Sequence, residues 1–208
     1  MLTCIQQSVM NFGILMIQGL VNSFGTVIMA AFAVAVKIDS FAYMPVQDFG
    51  NAFSIYTAQN FGAGKTERIH KGMKIAFLVS TCFCLLISIL VCVFAQPLMQ
   101  IFIDAKETQI LAEGVRYLRI EGTFYVGIGL LFLWYGYYRA IKKPGMSVVL
   151  TIISLGVRVL LAYVLAPIPE IGVTGIWWAI PIGWFLADLT GAIYYWKNRK
   201  ALRNSSVL

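Results

Sequence analysis

No charged residue precedes Lys37, and apolar runs of membrane-crossing length recur through the rest of the chain. A helix needs about 20 apolar residues to cross roughly 30 Å of hydrocarbon. Apolar windows fall at 5–25, 29–60, 73–96, 117–140, 145–166 and 174–196, which predicts six spans and an all-α polytopic membrane protein. With 60% hydrophobic and only 12% charged residues, the composition departs from soluble domains, where about a quarter of residues are charged. The second window is too long for one straight crossing, and Pro45 lies inside it, so a kink or break is expected near residues 37–45. Asp104 and Glu107 have capping-box spacing and predict a short interfacial helix before the fourth span.

Charge placement sets direction. Lys65, Arg68, Lys71 and Lys74 follow the second window, Arg139, Lys142 and Lys143 follow the fourth, and Lys197, Arg199, Lys200 and Arg203 follow the sixth. The alternate loops hold Lys37, Lys106, Arg116 and Arg119, mixed with Asp39, Asp104, Glu107, Glu113, Glu121 and Glu170. Eleven basic residues against four predict that the first set, and with it both termini, is cytoplasmic. The net charge of +7 is therefore topological, and nucleic acid is not an expected partner. A cleavable leader is not expected either, because the N-terminus has no basic region and Gln6, Gln7 and Asn11 interrupt the first run. The four cysteines lack zinc-ligand spacing and read as reduced small residues; no metal or cofactor site is expected.

The stretch "GAGKT" at 62–66 has the ending of a phosphate-binding loop, but the glycine required five positions before the Gly-Lys pair is Gln59. An apolar helical window precedes it instead of a strand, so nucleotide binding and enzymatic chemistry are not expected. The stretch reads as a tight turn in which Gly62 and Gly64 take left-handed conformations. Lys65 and Arg68 then stand where anionic headgroups would meet them. His70 belongs to this solvated loop.

Polar groups inside spans are expensive and face protein or a hydrated cavity. Gln7, Asn11, Gln18 and Asn22 share one face of the first helix, either lining a substrate cavity or bonding a neighbouring helix. In the second window Met44, Gln47, Asp48, Asn51 and Ser54 form a stripe, with Tyr43 beside it. Asp48 is twelve residues from Asn60, about 18 Å from that end at 1.5 Å per residue. Such a carboxylate either exchanges protons against a cationic substrate or pairs with a buried base. Arg158, about 20 Å along the fifth span, is the candidate base. An Arg158–Asp188 clasp is expected, leaving Asp48 for the cavity. Glu121 and Tyr125, one turn apart, are further cavity candidates. The clustered Tyr and Trp residues of spans four and six read as interfacial anchors or packing.

"MPVQDFGNAFSIYTAQNFGAGKTERIHKG" (44–72), "SLGVRVLLAYVLAP" and "GIWWAIPIGWFLAD" resemble the multidrug and toxic compound extrusion (MATE) family, most like its DNA-damage-inducible-F-like branch. The resemblance covers essentially residues 1–208 and implies the C-terminal six-helix lobe of a twelve-helix transporter. It implies an N-terminal lobe as partner, a small amphipathic or cationic substrate, inward coupling of protons or sodium ions, and a bacterial cytoplasmic membrane. The C-lobe cation site found in some members of that family uses one carboxylate in the first helix of this half and another in the fourth. The first span here has none, and the fourth has only Glu121. Rival readings are a lipid-linked oligosaccharide flippase, which would need a more cationic cavity, and a non-transporting membrane scaffold, which would need no mid-depth acid.

Overall fold

The computed structural model describes residues 2–204, with side chains for residue 6 and for residues 8–198. The described chain is helical, with no strand: α1 (Leu2–Asn22), α2 (Thr26–Gly62), α3 (Thr66–Val93), α4 (Ala95–Gln100), α5 (Thr108–Thr123), α6 (Tyr125–Ala140), α7 (Pro144–Leu165) and α8 (Gly172–Asn204). Four of these, α2, α3, α7 and α8, are long and apolar enough to cross a bilayer. α1 adds a shorter apolar stretch, Ser8–Asn22. The expected span at 117–140 is divided between α5 and α6, because the helix breaks at Phe124 (φ −108, ψ 17).

The expected break in α2 and the expected capping box are both absent. α2 runs unbroken through Pro45 for 37 residues, about 55 Å at 1.5 Å per residue. A proline removes one donor and crowds one carbonyl. Ile38, Asp39, Val46 and Gly50 bury on either side of it, and α2 packs against α5 and α6 over this length. Tertiary packing therefore holds the helix together where local propensity predicted a break. Asp104 and Glu107 make no capping box: Asp104 Oδ1 accepts the Lys106 N–H (2.9 Å), and Glu107 precedes the helix without a side-chain cap. The helix that follows is no short interfacial piece but a 16-residue arm, α5, buried through Leu111, Gly114, Tyr117, Leu118 and Glu121.

α2 and α6 form the centre of the bundle. Their approach is set by paired glycines: a β-carbon on Gly136 would meet the Gly50 carbonyl oxygen at 2.5 Å. α7 and α8 make the largest interface, where a β-carbon on Gly183 would collide with the Ser154 carbonyl. Trp177, Trp184, Tyr137 and Tyr138 are buried packing residues, whereas Trp196 is exposed.

The basic loops gather at one end. Tyr195 OH lies 2.7 Å from His70 Nδ1, and Lys143 Nζ donates to Tyr194 OH (3.4 Å), joining the first turns of α3 and the α6–α7 loop to the last part of α8. His70 is thus half-buried and partnered, not simply solvated. At the other end Arg116 Nη1 donates to Thr174 Oγ1 (3.5 Å), joining α5 to the start of α8.

Candidate functional site

α2 presents two aspartates nine residues apart. At 100° per residue that is two and a half turns, so they point to opposite faces. Asp39 faces inward and is only 5% exposed, whereas Asp48 is exposed. The inward face meets α5, whose Tyr117 and Glu121 stand one turn apart and are buried to 2% and 1%. Tyr117 OH donates to Asp39 Oδ2 across 3.5 Å. Tyr125, one turn further on and beyond the break, is also buried. Arg158 of α7 lies within electrostatic reach of both carboxylates, and Tyr43 of all three.

This cluster is ionisable but incompletely satisfied. Arg158 Nε is buried without a hydrogen-bond partner, and Asp39 Oδ1 and Glu121 Oε1 make no well-aligned hydrogen bond, although Tyr125 stands beside Asp39 and Tyr117 beside Glu121. Buried polar atoms are ordinarily paired, so a cluster left this incompletely paired calls for an explanation. Phe32, Tyr117 and Trp177 close it on one side: Phe32 stacks on Trp177 at 5.3 Å, and Tyr117 meets Trp177 edge-on at 4.9 Å. The break at Phe124 falls between Glu121 and Tyr125. Irregular backbone at membrane depth is tolerated where it is buried in protein or lines a cavity.

Of the residues expected from sequence, Glu121, Tyr125, Tyr43 and Arg158 come together here. Asp39 was missed: the break expected at 37–45 assigned it to a loop, and only an unbroken α2 carries it inside. The Arg158–Asp188 clasp does not form. The ion pairs among the described residues are Lys71–Glu67 (3.1 Å) and Arg116–Glu113 (3.3 Å). α7 packs against Gly183, where a β-carbon would stand 3.5 Å from Arg158 Cβ. Asp188 is five residues on, about 140° around α8, and faces Gly127 of α6 instead.

The polar stripes occupy other surfaces. Gln18, Asn22, Met44, Asp48 and Asn51 are exposed, with Gln47 and Ser54 partly so. Asn51 Oδ1 accepts from Arg139 Nη2 (3.2 Å), and both line a cavity of about 80 Å³ with Gln6, Gln47 and Tyr135. Gln6, read from the sequence only as an interruption of the first apolar run, does the interhelical bonding: its Nε2 donates to Thr151 Oγ1 (2.9 Å), tying α1 to α7. The side chain of Gln7 lies outside the described residues.

The "GAGKT" stretch is a helix terminator. Lys65 N–H donates to Asn60 O (2.8 Å) and Gly64 N–H to Phe61 O (3.1 Å), the paired bonds of a Schellman motif, with Gly64 at φ 68. Gly62 does not take a left-handed conformation; it is the last helical residue. Gln59, Lys65 and Arg68 line a cavity of about 580 Å³ between α2 and α3 with Asn60 and Lys71.

Comparison with known proteins agrees with this architecture. The chain is 27% identical over 187 residues to "Probable multidrug resistance protein YoeA" of Bacillus subtilis (strain 168), covering 88% of this chain and 40% of that protein. It is 27% identical over 172 residues to the "FAD transporter" of Shewanella oneidensis, covering 82% of this chain and 36% of that one. Among solved structures, "MATE transporter ClbM in complex with Rb+" superposes with a TM-score of 0.88 at 24% identity, over 100% of this chain and 48% of that one. The bent form of Vibrio cholerae VcmN superposes with a TM-score of 0.85 at 22% identity, over 98% and 45%. The chain thus spans less than half the length of the relatives it matches. The MatE family profile matches residues 2–164, and the chain belongs to that family, whose members are membrane transporters and not enzymes.

Proposed function

We propose that this chain serves as one lobe of a proton-coupled antiporter for amphipathic organic cations, with Asp39 and Glu121 as its proton-handling pair. The observation that carries the reading is the unsatisfied cluster of two carboxylates around one arginine. Two negative charges against one positive leave a single net negative charge, which one proton neutralises. A second proton would leave Arg158 unbalanced in a low-dielectric site, at a cost of several kcal/mol. The cluster thus changes state by one proton. The guanidinium also occupies the position that would repel sodium, which favours a proton as the coupling ion.

Exchange requires that proton and substrate disfavour each other's binding, each shifting the other's affinity by the same factor. The exposed polar stripe of α2, with Met44, Asp48 and Asn51, is the substrate-facing surface in this reading. Its one acid favours cations. The Shewanella relative is an FAD transporter, so the family name alone does not select cations. An anionic substrate is favoured by nothing on this stripe except Arg139, which Asn51 already engages. By the positive-inside bias, the basic end is placed in the cytoplasm.

The test is gradient-driven uptake of a fluorescent organic cation into proteoliposomes holding a two-lobe transporter that carries this chain as one half. Asp39→Asn and Glu121→Gln should each lower proton-driven flux at least tenfold and leave no sodium-driven flux in its place. Undiminished flux in both variants, or drive by sodium alone, would overturn the assignment.

A further inference from the structure

Asp188 is a half-buried acid that the carboxyl cluster does not use. Its Oδ1 is buried without a partner, and its Oδ2 lies 3.9 Å from where a β-carbon of Gly127 would stand. It lines a groove of about 400 Å³, within the range of drug-sized sites. The walls come from three helices: Phe77 of α3, Gly127 and Trp134 of α6, and Pro181 and Phe185 of α8. Phe77 meets Trp134 edge-on at 5.1 Å, and Phe185 stands 65% exposed at the mouth. No ion pair reaches Asp188 among the described residues, and α8 holds Arg158 on another face. The titratable group within electrostatic reach of Asp188 is Tyr135.

We infer that this groove is a second binding site, taking a lipophilic organic cation with Asp188 as its counter-charge. The argument is one of complementarity. A carboxylate kept from water gains most from a partner of opposite charge, and a lipid tail filling the groove would leave it unpaired. Aromatic rings attract a diffuse cation where a compact, strongly hydrated one would stay in water. The exposed mouth at Phe185 and Leu189 lets such a ligand enter sideways from the apolar surroundings. Gly127, lacking a side chain, lets the Trp184 ring and the Asp188 carboxylate approach α6 closely, which sets the carboxylate against the groove wall. Occupancy does not require transport, so the site stands apart from the antiport reading.

Equilibrium dialysis of the full chain in nanodiscs, with tetraphenylphosphonium as probe and tetraphenylborate as an anion of the same shape, tests it. Saturable binding of the cation and not the anion is expected, with affinity falling at least tenfold in Asp188→Asn. Phe185→Ala, at an exposed position that leaves folding intact, should weaken binding about threefold. Equal binding of cation and anion, or parent-like binding in both variants, would overturn the site. Loss in Asp39→Asn with retention in Asp188→Asn would also overturn it, by moving the cation to the carboxyl cluster.

Discussion

Asp39 and Asp48 share one helix, one side-chain type and a separation of nine residues, yet the fold treats them oppositely. Asp39 is buried beside Glu121 and the tyrosines within reach of Arg158, while Asp48 is exposed on the reverse face. The difference lies in helical phase, not depth. Gly50 is eleven residues from Asp39, within about 20° of the same face, and there α6 packs most closely. One face of α2 is therefore a packed seam with a charged cluster set into it. The other is a polar stripe. A charge on the seam depends on its neighbours; a charge on the stripe does not.

The largest effect should come from Arg158→Ala, which removes the half-buried cation within electrostatic reach of Asp39 and Glu121. Breaking a buried charge arrangement by deleting one partner costs about 3–5 kcal/mol. Combining it with Asp39→Asn should recover part of that loss, whereas combining it with Asp48→Asn should not. Urea or thermal melts in detergent measure all four species. Strictly additive losses with Asp39→Asn would dissolve the distinction between the two aspartates.

A smaller effect is expected from Gly136→Ala, whose new methyl would press on the Gly50 carbonyl at 2.5 Å. Overpacking of this kind typically costs about 1–3 kcal/mol. The same melts should show it, and proton-driven flux should fall as α2 is pushed from α6. Full stability in this variant would mean that the seam is looser than the glycine contact implies.

The smallest effect belongs to Asp48→Asn itself. As an exposed side chain outside the packed seam, it should change stability by no more than about 0.5 kcal/mol. Some proton-driven efflux should remain, with cation affinity reduced most at high pH, where an ionised carboxylate contributes most. A destabilisation as large as that of Arg158→Ala would place Asp48 in a buried partnership after all.

Much of the helical content was legible along the chain because it rests on local quantities. Apolar length marked α2, α3, α7 and α8, and Gly64 announced the turn after α2 through its freedom at positive φ. Pro45 misled for the same reason: a local rule predicted a break that contacts with α5 and α6 overrode. Glu121 and Tyr125 were visible as a pair one turn apart, but the break between them was not, since no glycine or proline stands at Phe124.

The sequence by itself determined that the chain is a bundle of apolar helices with basic loops at one end, because hydropathy and charge act residue by residue. It also determined, through phase, that Asp39 and Asp48 could not share a face once α2 was continuous. Only the tertiary structure decided that α2 is continuous, which of its faces is buried, and which acid Arg158 approaches. Partner choice among buried charges depends on how helices rotate against one another. That rotation is set by close contacts such as Gly136 on Gly50 and Gly183 on Ser154, between residues far apart in the chain.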